Sequence, residues 1–307
     1  MSEIILHHYE TSPYSEKIRA ILGYKNLPWR SVITPMVMPK PDLVALTGGY
    51  RKAPVMQLGA DIYCDTALIA RVLDRLHPSP ILVPAHLKAS CVAFAGLDQQ
   101  LFYATVPVLF QPAGLKALNL LGDQLAVFGK DRELMFTGGS ARRPSQEFSK
   151  THFLPLFAAV DAQLAATRYL LGEAPTLADF CVYHSAWFVL NNPGVAPVLE
   201  GFRHLRDWFG RIKALGHGKP SPMSGEQALA AARAGGATQA FDGPWLEAEK
   251  CKPGERVTVA ATDYGCDPVS GTLLHASVFE VVVQRHDERA GEVRVHVPRT
   301  GFRLAPA

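Results

Sequence analysis

A serine with helix amides behind it is the first chemical feature of the chain. Ile4-Ile5-Leu6 has the pattern of a short buried strand, Thr11-Ser12-Pro13 that of a turn, and a helix follows. The first amides of a helix lack intrahelical partners and carry the positive end of the dipole, so a thiolate placed there is stabilised. One further hydrogen bond from the Ser12 hydroxyl, worth about 1.5–3 kcal/mol, would lower the pKa of a thiol from about 8.5 to roughly 6.5–7.5. The pattern therefore predicts thiol activation.

Two other positions lie at comparable junctions. Pro54 opens the apolar run Val55–Leu58 and has no N–H to give to a sheet. Asp65-Thr66 lies where a hairpin turns into the next helix. Each feature also has an ordinary structural explanation, because serine and aspartate are good N-caps and most X-Pro bonds are trans. The order and context of the three features, rather than any one alone, favour a binding site.

The apolar periodicity predicts the elements that must position these residues. Over residues 1–80 it predicts the order β-α-β-α-β-β-α. Residues 81–215 carry three successive stripes with helical spacing, which predicts a helical bundle. One of these stripes is Phe153, Leu156, Phe157, Val160 and Leu164.

The last third of the chain changes period. Residues 216–239 are predicted to be a Gly/Pro/Ser-rich linker with one short helix near residues 226–233. Over residues 240–307, runs such as Val293, Val295 and Val297 alternate with other residues, as strands do. The predicted fold class is an α/β domain, then an all-α bundle, then a small all-β, barrel-like domain.

The motif Ser12-Pro-Tyr-Ser-Glu-Lys-Ile-Arg19 resembles the active-site turn of glutathione transferases that use serine or cysteine. The resemblance covers about residues 1–215 and implies a thioredoxin-like domain that binds glutathione as cosubstrate. In such enzymes the residue before this proline faces the glutathione sulfur, which assigns that role to Ser12. Tyr9 is the alternative, because tyrosine-type relatives place the catalytic hydroxyl at the end of the first strand.

The same resemblance implies the other glutathione contacts. Lys52-Ala53-Pro54 corresponds to the segment whose proline is cis and whose preceding residue pairs with the backbone of glutathione. Asp65-Thr66 resembles the acidic–hydroxyl pair that binds the γ-glutamyl end, with Asp65 on the ammonium and Thr66 on the carboxylate. Lys40 is a candidate for the glycyl carboxylate.

The implied activity is conjugation of glutathione to an electrophilic small molecule bound against the helical domain. Four aromatic residues are candidates for that acceptor pocket, although core packing also explains them: Phe102, Tyr103, Phe110 and Trp187. A non-catalytic relative that binds a partner is the alternative. A glutathione-dependent thiol–disulfide enzyme is disfavoured, because Ser12 stands where such enzymes carry cysteine.

Composition argues against several classes of partner and site. The 307 residues have a net charge of +3, which is too mild to indicate nucleic-acid binding. Five scattered cysteines without a C-x-x-C pair argue against a disulfide framework or zinc and fit the cytoplasm. His7-His8 have no partner pattern for a metal. No apolar run approaches the about 18 residues of a membrane span.

The resemblance leaves the last 80 or so residues unexplained. Because a β domain of this size is marginally stable alone, we expect it to dock on the same chain or on the second subunit of a homodimer. Its charged face is expected to stay in solvent or meet a partner, and it carries Arg285, Arg289, Arg294 and Arg299. We expect this segment to modulate access to the site rather than carry the chemistry.

Overall fold

The structure is a computed structural model that describes residues 3–235, 239–246 and 251–307. The N-terminal segment has the predicted order and the thioredoxin-like arrangement β4-β3-β1-β2, with β1 parallel to β2 and antiparallel to β3. Its elements are β1 (Ile5–His8), α1 (Pro13–Tyr24), β2 (Pro28–Ile33), α2 (Pro41–Thr47), β3 (Val55–Leu58), β4 (Asp61–Cys64) and α3 (Thr66–Leu76).

Local sequence explains how α1 and α3 are placed. Ser12 caps α1 and Pro13 occupies its first turn, where no amide partner is needed. The apolar stripe of α1, with Ile18 and Ile21, is fully buried against the sheet. Asp65 caps α3 in the same way. Both helices therefore begin at the same end of the sheet, where the predicted site residues lie.

The second segment is helical, as predicted. It comprises α4 (Lys88–Leu109), α5 (Pro112–Ala117), α6 (Gly122–Leu134), α7 (Gln146–Leu164), α8 (Leu177–Leu190) and α9 (Arg203–Lys213), with short 3-10 turns at Ala85–Leu87 and Ala196–Leu199. The predicted stripe of α7 packs into the core through Phe153, Phe157, Val160 and Leu164. Every helix among the described residues is too short or too polar to span a lipid bilayer.

Residues 216–235 hold the predicted short helix, α10 (Gly225–Ala234), and a strand that was not predicted, β5 (Lys219–Pro222). β5 pairs in parallel with β2, and the amide of Lys219 donates to the Leu27 carbonyl at 2.9 Å. The sequence Lys-Pro-Ser-Pro does not indicate a strand, because its two prolines have no N–H to donate to a neighbouring strand. Such residues are tolerated at a sheet edge, which is where β5 lies.

The C-terminal segment is all-β, as predicted, but it does not form a barrel. Its strands are β6 (Arg256–Ala261), β7 (Val269–Ala276), β8 (Glu280–Asp287), β9 (Gly291–Pro298) and β10 (Phe302–Pro306). β9 pairs in parallel with β4, with Val295 opposite Ile62. The described strands thus form one ten-stranded sheet in the order β10-β6-β7-β8-β9-β4-β3-β1-β2-β5. In a closed barrel, β9 would pair with another strand of the C-terminal segment. Here it pairs with the edge of β4 instead.

Docking on the same chain is thereby confirmed, and three of the four arginines expected on a free face contribute to it. Arg294 forms a two-pronged pair with Asp61 at 2.6 and 2.8 Å. Arg289 pairs with Asp42 at 2.6 Å, and Arg285 donates to the carbonyl of Ala45. These three arginines therefore contact the N-terminal segment, and Arg289 does so from a partly exposed position.

Candidate active site

A cleft of about 780 Å³ lies between the N-terminal segment and the helical segment. It brings together residues that are separated by more than fifty positions in the sequence. All eight residues assigned to the site from the sequence line it: Tyr9, Ser12, Lys40, Lys52, Ala53, Pro54, Asp65 and Thr66.

The Ser12 side chain serves as a helix cap and also faces the cleft. Its Oγ accepts a hydrogen bond from the amide of Ser15 at 3.1 Å. A hydroxyl that accepts through a lone pair still has its own proton to donate. The structural explanation and the functional one are therefore compatible, and the Ser12 O–H is available to a ligand in the cleft.

The backbone beside Ser12 has the predicted conformation. The Ala53–Pro54 peptide bond is cis, as expected. Pro54 is buried and Ala53 is half-buried, and both line the cleft. The segment that leads into β3 therefore forms part of the cleft wall.

Asp65 and Thr66 form the opposite end of the site. Asp65 has φ of +77°, a conformation that aspartate adopts only at a cost. Its Oδ1 accepts from the amide of Ala67 at 2.9 Å. Thr66 is the first residue of α3, so its hydroxyl lies beside free helix amides. This geometry offers an acceptor and donors to a ligand that carries both an ammonium and a carboxylate.

The two predicted lysines differ in what they contact. Lys40 donates to the carbonyl of Arg51 at 3.0 Å. Burial, together with the nearby cations Arg132 and Arg51, lowers the pKa of Lys40 to about 8. Lys52 donates to the carbonyl of Tyr264 at 2.8 Å, so it is also tied to the C-terminal segment.

A buried ionic cluster that the sequence did not reveal lies beneath Thr66. Lys17 Nζ lies 2.5 Å from an Asp98 carboxylate oxygen and 3.4 Å from Thr66 Oγ1. His184 Nε2 contacts the other Asp98 oxygen at 2.8 Å. Burial would raise the pKa of Asp98, but Lys17 and His184 outweigh burial and hold that pKa well below its usual range. The cluster joins α1, α4 and α8, and Lys17 holds the Thr66 side chain through its hydroxyl.

Comparison with known proteins identifies the family. Residues 6–81 match the family described as glutathione S-transferase, N-terminal domain, and residues 141–211 match its C-terminal domain. A GST-like protein from Pseudomonas syringae is 36% identical, with both chains covered in full and a TM-score of 0.82. The chain belongs to the glutathione S-transferase family.

More distant family structures share the fold. A glutathione S-transferase from Rhodospirillum rubrum is 17% identical over 69% of this chain and 88% of its own, with a TM-score of 0.53. A beta-etherase from Sphingobium is 17% identical over 70% of this chain and 96% of its own, with a TM-score of 0.51. Among curated protein sequences, none matches this chain. The full-length match to the Pseudomonas protein shows that the C-terminal β segment occurs in another GST-like protein.

The helical side of the cleft in this glutathione S-transferase family member is aromatic. Three of the four candidate residues line it, namely Phe102, Tyr103 and Phe110. Trp187 does not line the cleft. Its ring centroid lies 5.9 Å from the guanidinium carbon of Arg19. The cleft has further aromatic lining residues that the sequence did not single out: Phe128, Phe136, Phe188 and Tyr264.

The two histidines near the start of the chain have structural partners. His7 hydrogen-bonds to the Gln57 side chain and His8 to the Ser31 hydroxyl, each at 2.8 Å. Burial lowers the pKa of His7 to about 4 and that of His8 to about 3. Within residues 3–235, 239–246 and 251–307, no group of three or more His, Cys, Asp or Glu side chains is placed to hold a metal ion.

Proposed function

We propose that this protein activates glutathione as a thiolate and conjugates it to an apolar electrophile. The observation that carries the proposal is the Ser12 hydroxyl, which keeps its proton for a ligand at the N-terminus of α1 inside the cleft. Family membership supplies the cosubstrate, and the aromatic lining of the helical side favours an apolar acceptor.

Each part of glutathione has a complementary group in the cleft. We assign the γ-glutamyl ammonium to Asp65 and its carboxylate to Thr66 with the first amides of α3. The cysteinyl backbone pairs with Ala53 beside Pro54. The glycyl carboxylate is assigned to Lys40, with Lys52 adding a second positive charge. These assignments place the sulfur near Ser12.

The reaction requires one bond to form at sulfur. The glutathione thiol releases its proton to solvent, and the Ser12 hydroxyl and the helix amides stabilise the thiolate. The sulfur then attacks the electrophilic carbon. Either a leaving group departs with its electron pair, or the carbanion formed by addition takes a proton from water. Holding both reactants in one cleft lowers the activation barrier further, because the entropy cost of bringing them together is met on binding.

Two measurements test the proposal. Calorimetry of the full chain with glutathione tests binding, and a turnover assay with glutathione and chlorodinitrobenzene tests conjugation. Binding with turnover supports the enzyme. Binding without turnover of this or other generic electrophiles favours the non-catalytic alternative, and absence of glutathione binding contradicts the proposed enzyme. We also propose that the protein is a cytoplasmic homodimer. Light scattering of the purified chain measures its molar mass and therefore tests the dimer.

The Lys40 ammonium predicts a pH dependence of binding. Because its pKa is lowered to about 8, Lys40 loses its charge as the pH rises through that value, and the affinity for an anionic ligand should fall. Titration with S-methylglutathione avoids ionisation of the thiol and measures this effect. Lys40→Arg stays charged and should lose less affinity than the wild type between pH about 7 and about 9; the loss that remains is that of the ligand's own ammonium, which titrates in the same range. The same decline in Lys40→Arg and the wild type would remove Lys40 from the site.

A further inference from the structure

The loop between β6 and β7, residues 262–268, brings the C-terminal segment to the cleft. Asp263 and Tyr264 line the cleft together with Ser12, Asp65 and the aromatic residues of the helical segment. None of the residues assigned to the site from the sequence comes from this part of the chain. The ligand cleft thus has a third wall in addition to the two that the family fold provides.

The loop backbone is held from both sides of the cleft. On the N-terminal side, Lys52 Nζ donates to the carbonyl of Tyr264 at 2.8 Å. On the helical side, the amide of Gly265 donates to the carbonyl of Met135 at 2.7 Å. Gly265 has φ of +59°, which glycine adopts without strain. The loop therefore bridges the two segments at a fixed position.

A second set of contacts continues this bridge toward residues 139–141. The amide of Ser140 donates to the carbonyl of Thr262 at 3.0 Å. A Cβ added at Gly139 would lie 1.9 Å from the carbonyl oxygen of Asp263, so the two backbones approach as closely as glycine permits. The Asp263 carboxylate accepts a hydrogen bond from the Gln99 side chain on α4. The side chains of the loop are thereby aimed by backbone contacts that do not use the Tyr264 ring.

The Tyr264 side chain is left for a ligand. Its ring is half-buried and packs edge-on against Phe136, with 4.7 Å between the centroids. Burial raises the pKa of the phenol to about 12, so the hydroxyl keeps its proton. Among the described residues, no group hydrogen-bonds to this hydroxyl. The side chain therefore offers both an aromatic surface and a free donor to the cleft.

We infer that Tyr264 is a specificity-determining residue that contacts the electrophile on the acceptor side of the conjugation site. The inference rests on the proposed function, because that function defines which part of the cleft takes the acceptor. The ring partner of Tyr264 is Phe136, and Asp263 is tied to Gln99, so both loop side chains are connected to the helical side. An apolar group attached to the glutathione sulfur would pack against Tyr264, and a polar substituent would accept from its hydroxyl.

Binding of two product analogues tests the inference without requiring turnover. S-Methylglutathione carries almost no acceptor group, whereas S-hexylglutathione carries an apolar chain that extends from the sulfur. Tyr264→Ala in the 307-residue chain should weaken S-hexylglutathione binding roughly ten-fold, as loss of an aromatic contact does, and change S-methylglutathione binding by less than about two-fold. Tyr264→Leu keeps a side chain on Phe136 and should show a smaller loss with the same selectivity.

Phe279→Ala is the matched control. Phe279 is another partly exposed aromatic of the C-terminal segment, it packs on Arg71 at 3.5 Å, and it does not line the cleft. Its removal should leave both affinities unchanged. Equal losses for both analogues in Tyr264→Ala would show that Tyr264 serves glutathione itself, and no loss for either would show that it serves neither; each result overturns the inference. A wild-type protein that binds neither analogue would contradict the proposed function as well.

Discussion

Replacing Ser12 by alanine is expected to lower kcat/KM for conjugation by roughly 10–100-fold while glutathione still binds. The reason is the loss of one charge-assisted hydrogen bond to the thiolate, worth about 1.5–3 kcal/mol. The pKa of the bound thiol should rise by roughly one to two units, because each unit corresponds to about 1.4 kcal/mol. The ultraviolet absorbance of the thiolate, followed against pH in the binary complex, measures this shift directly.

The variant also removes the N-cap of α1, which costs about 1 kcal/mol of stability. Ser224→Ala is a matched control, because Ser224 caps α10 by accepting from the Gln227 amide at 3.1 Å and does not line the cleft. It should lose similar stability and keep full turnover. Unchanged activity in Ser12→Ala, combined with an inactive Tyr9→Phe, would transfer the catalytic role to Tyr9.

The site residues that could be predicted from the sequence are those that belong to local motifs. Ser12 precedes a proline at a strand-to-helix turn, and Asp65-Thr66 lies at the next such turn. Such positions can be recognised because the turn, the cap and the chemistry depend on adjacent residues. Family resemblance then supplied the cis bond before Pro54, which residue pattern alone does not determine.

Residues that meet only through the tertiary fold were not predicted. Lys17 and Asp98 are 81 positions apart, and nothing local marks either as a partner of the other. Tyr264 lies in a short connection between strands whose place over the cleft depends on how the whole C-terminal segment docks. The alternation of Val293, Val295 and Val297 predicted a strand, but periodicity does not identify the neighbouring strand, and β9 pairs with β4.

Replacing Asp61 by asparagine is expected to lower the free energy of unfolding by about 3–5 kcal/mol, because Arg294 loses its carboxylate partner and the buried His296 loses one of its two. Asp61 is fully buried at the β4–β9 junction, where it accepts from Arg294 at 2.6 and 2.8 Å and from His296 at 3.1 Å. The other ring nitrogen of His296 lies 2.9 Å from a Glu280 oxygen. Urea unfolding of the full chain measures the loss.

Asp42→Asn is the control for this variant. The Asp42–Arg289 pair joins the same two segments at 2.6 Å, but both side chains are more than a third exposed. Exposed pairs of this kind contribute about 0–1 kcal/mol, so the control should be nearly as stable as the wild type. A loss in Asp61→Asn no larger than that in Asp42→Asn would show that strand pairing and apolar packing, rather than the buried ion pairs, hold the C-terminal segment in place.

The same junction predicts how stability varies with pH. Although burial acts in the opposite direction, His296 and Arg294 lower the pKa of Asp61, and His296 lowers that of Glu280. Their contribution to stability is therefore present above the ordinary carboxyl pKa of about 4 and is lost as the pH falls through the lowered values.

The His296 ring has the opposite dependence. Burial lowers its pKa, but the two carboxylates outweigh burial and raise the pKa above 6.5. Its contribution is therefore complete below about pH 6.5 and is lost as the pH rises through the raised pKa. The Tyr63 ring lies 4.4 Å from the imidazole, and its phenol keeps its proton because burial raises its pKa.

Comparison with His296→Gln isolates this junction from other histidines such as His7 and His8, whose lowered pKa values act in the opposite sense. The difference in unfolding free energy between the wild type and the variant should be largest near pH about 5–6 and shrink as the pH rises toward about 9. A difference that stays constant over that range would mean that His296 is neutral in the folded protein. In that case one of its two carboxylate partners, Asp61 or Glu280, must carry the proton instead, because a neutral imidazole has only one N–H to donate.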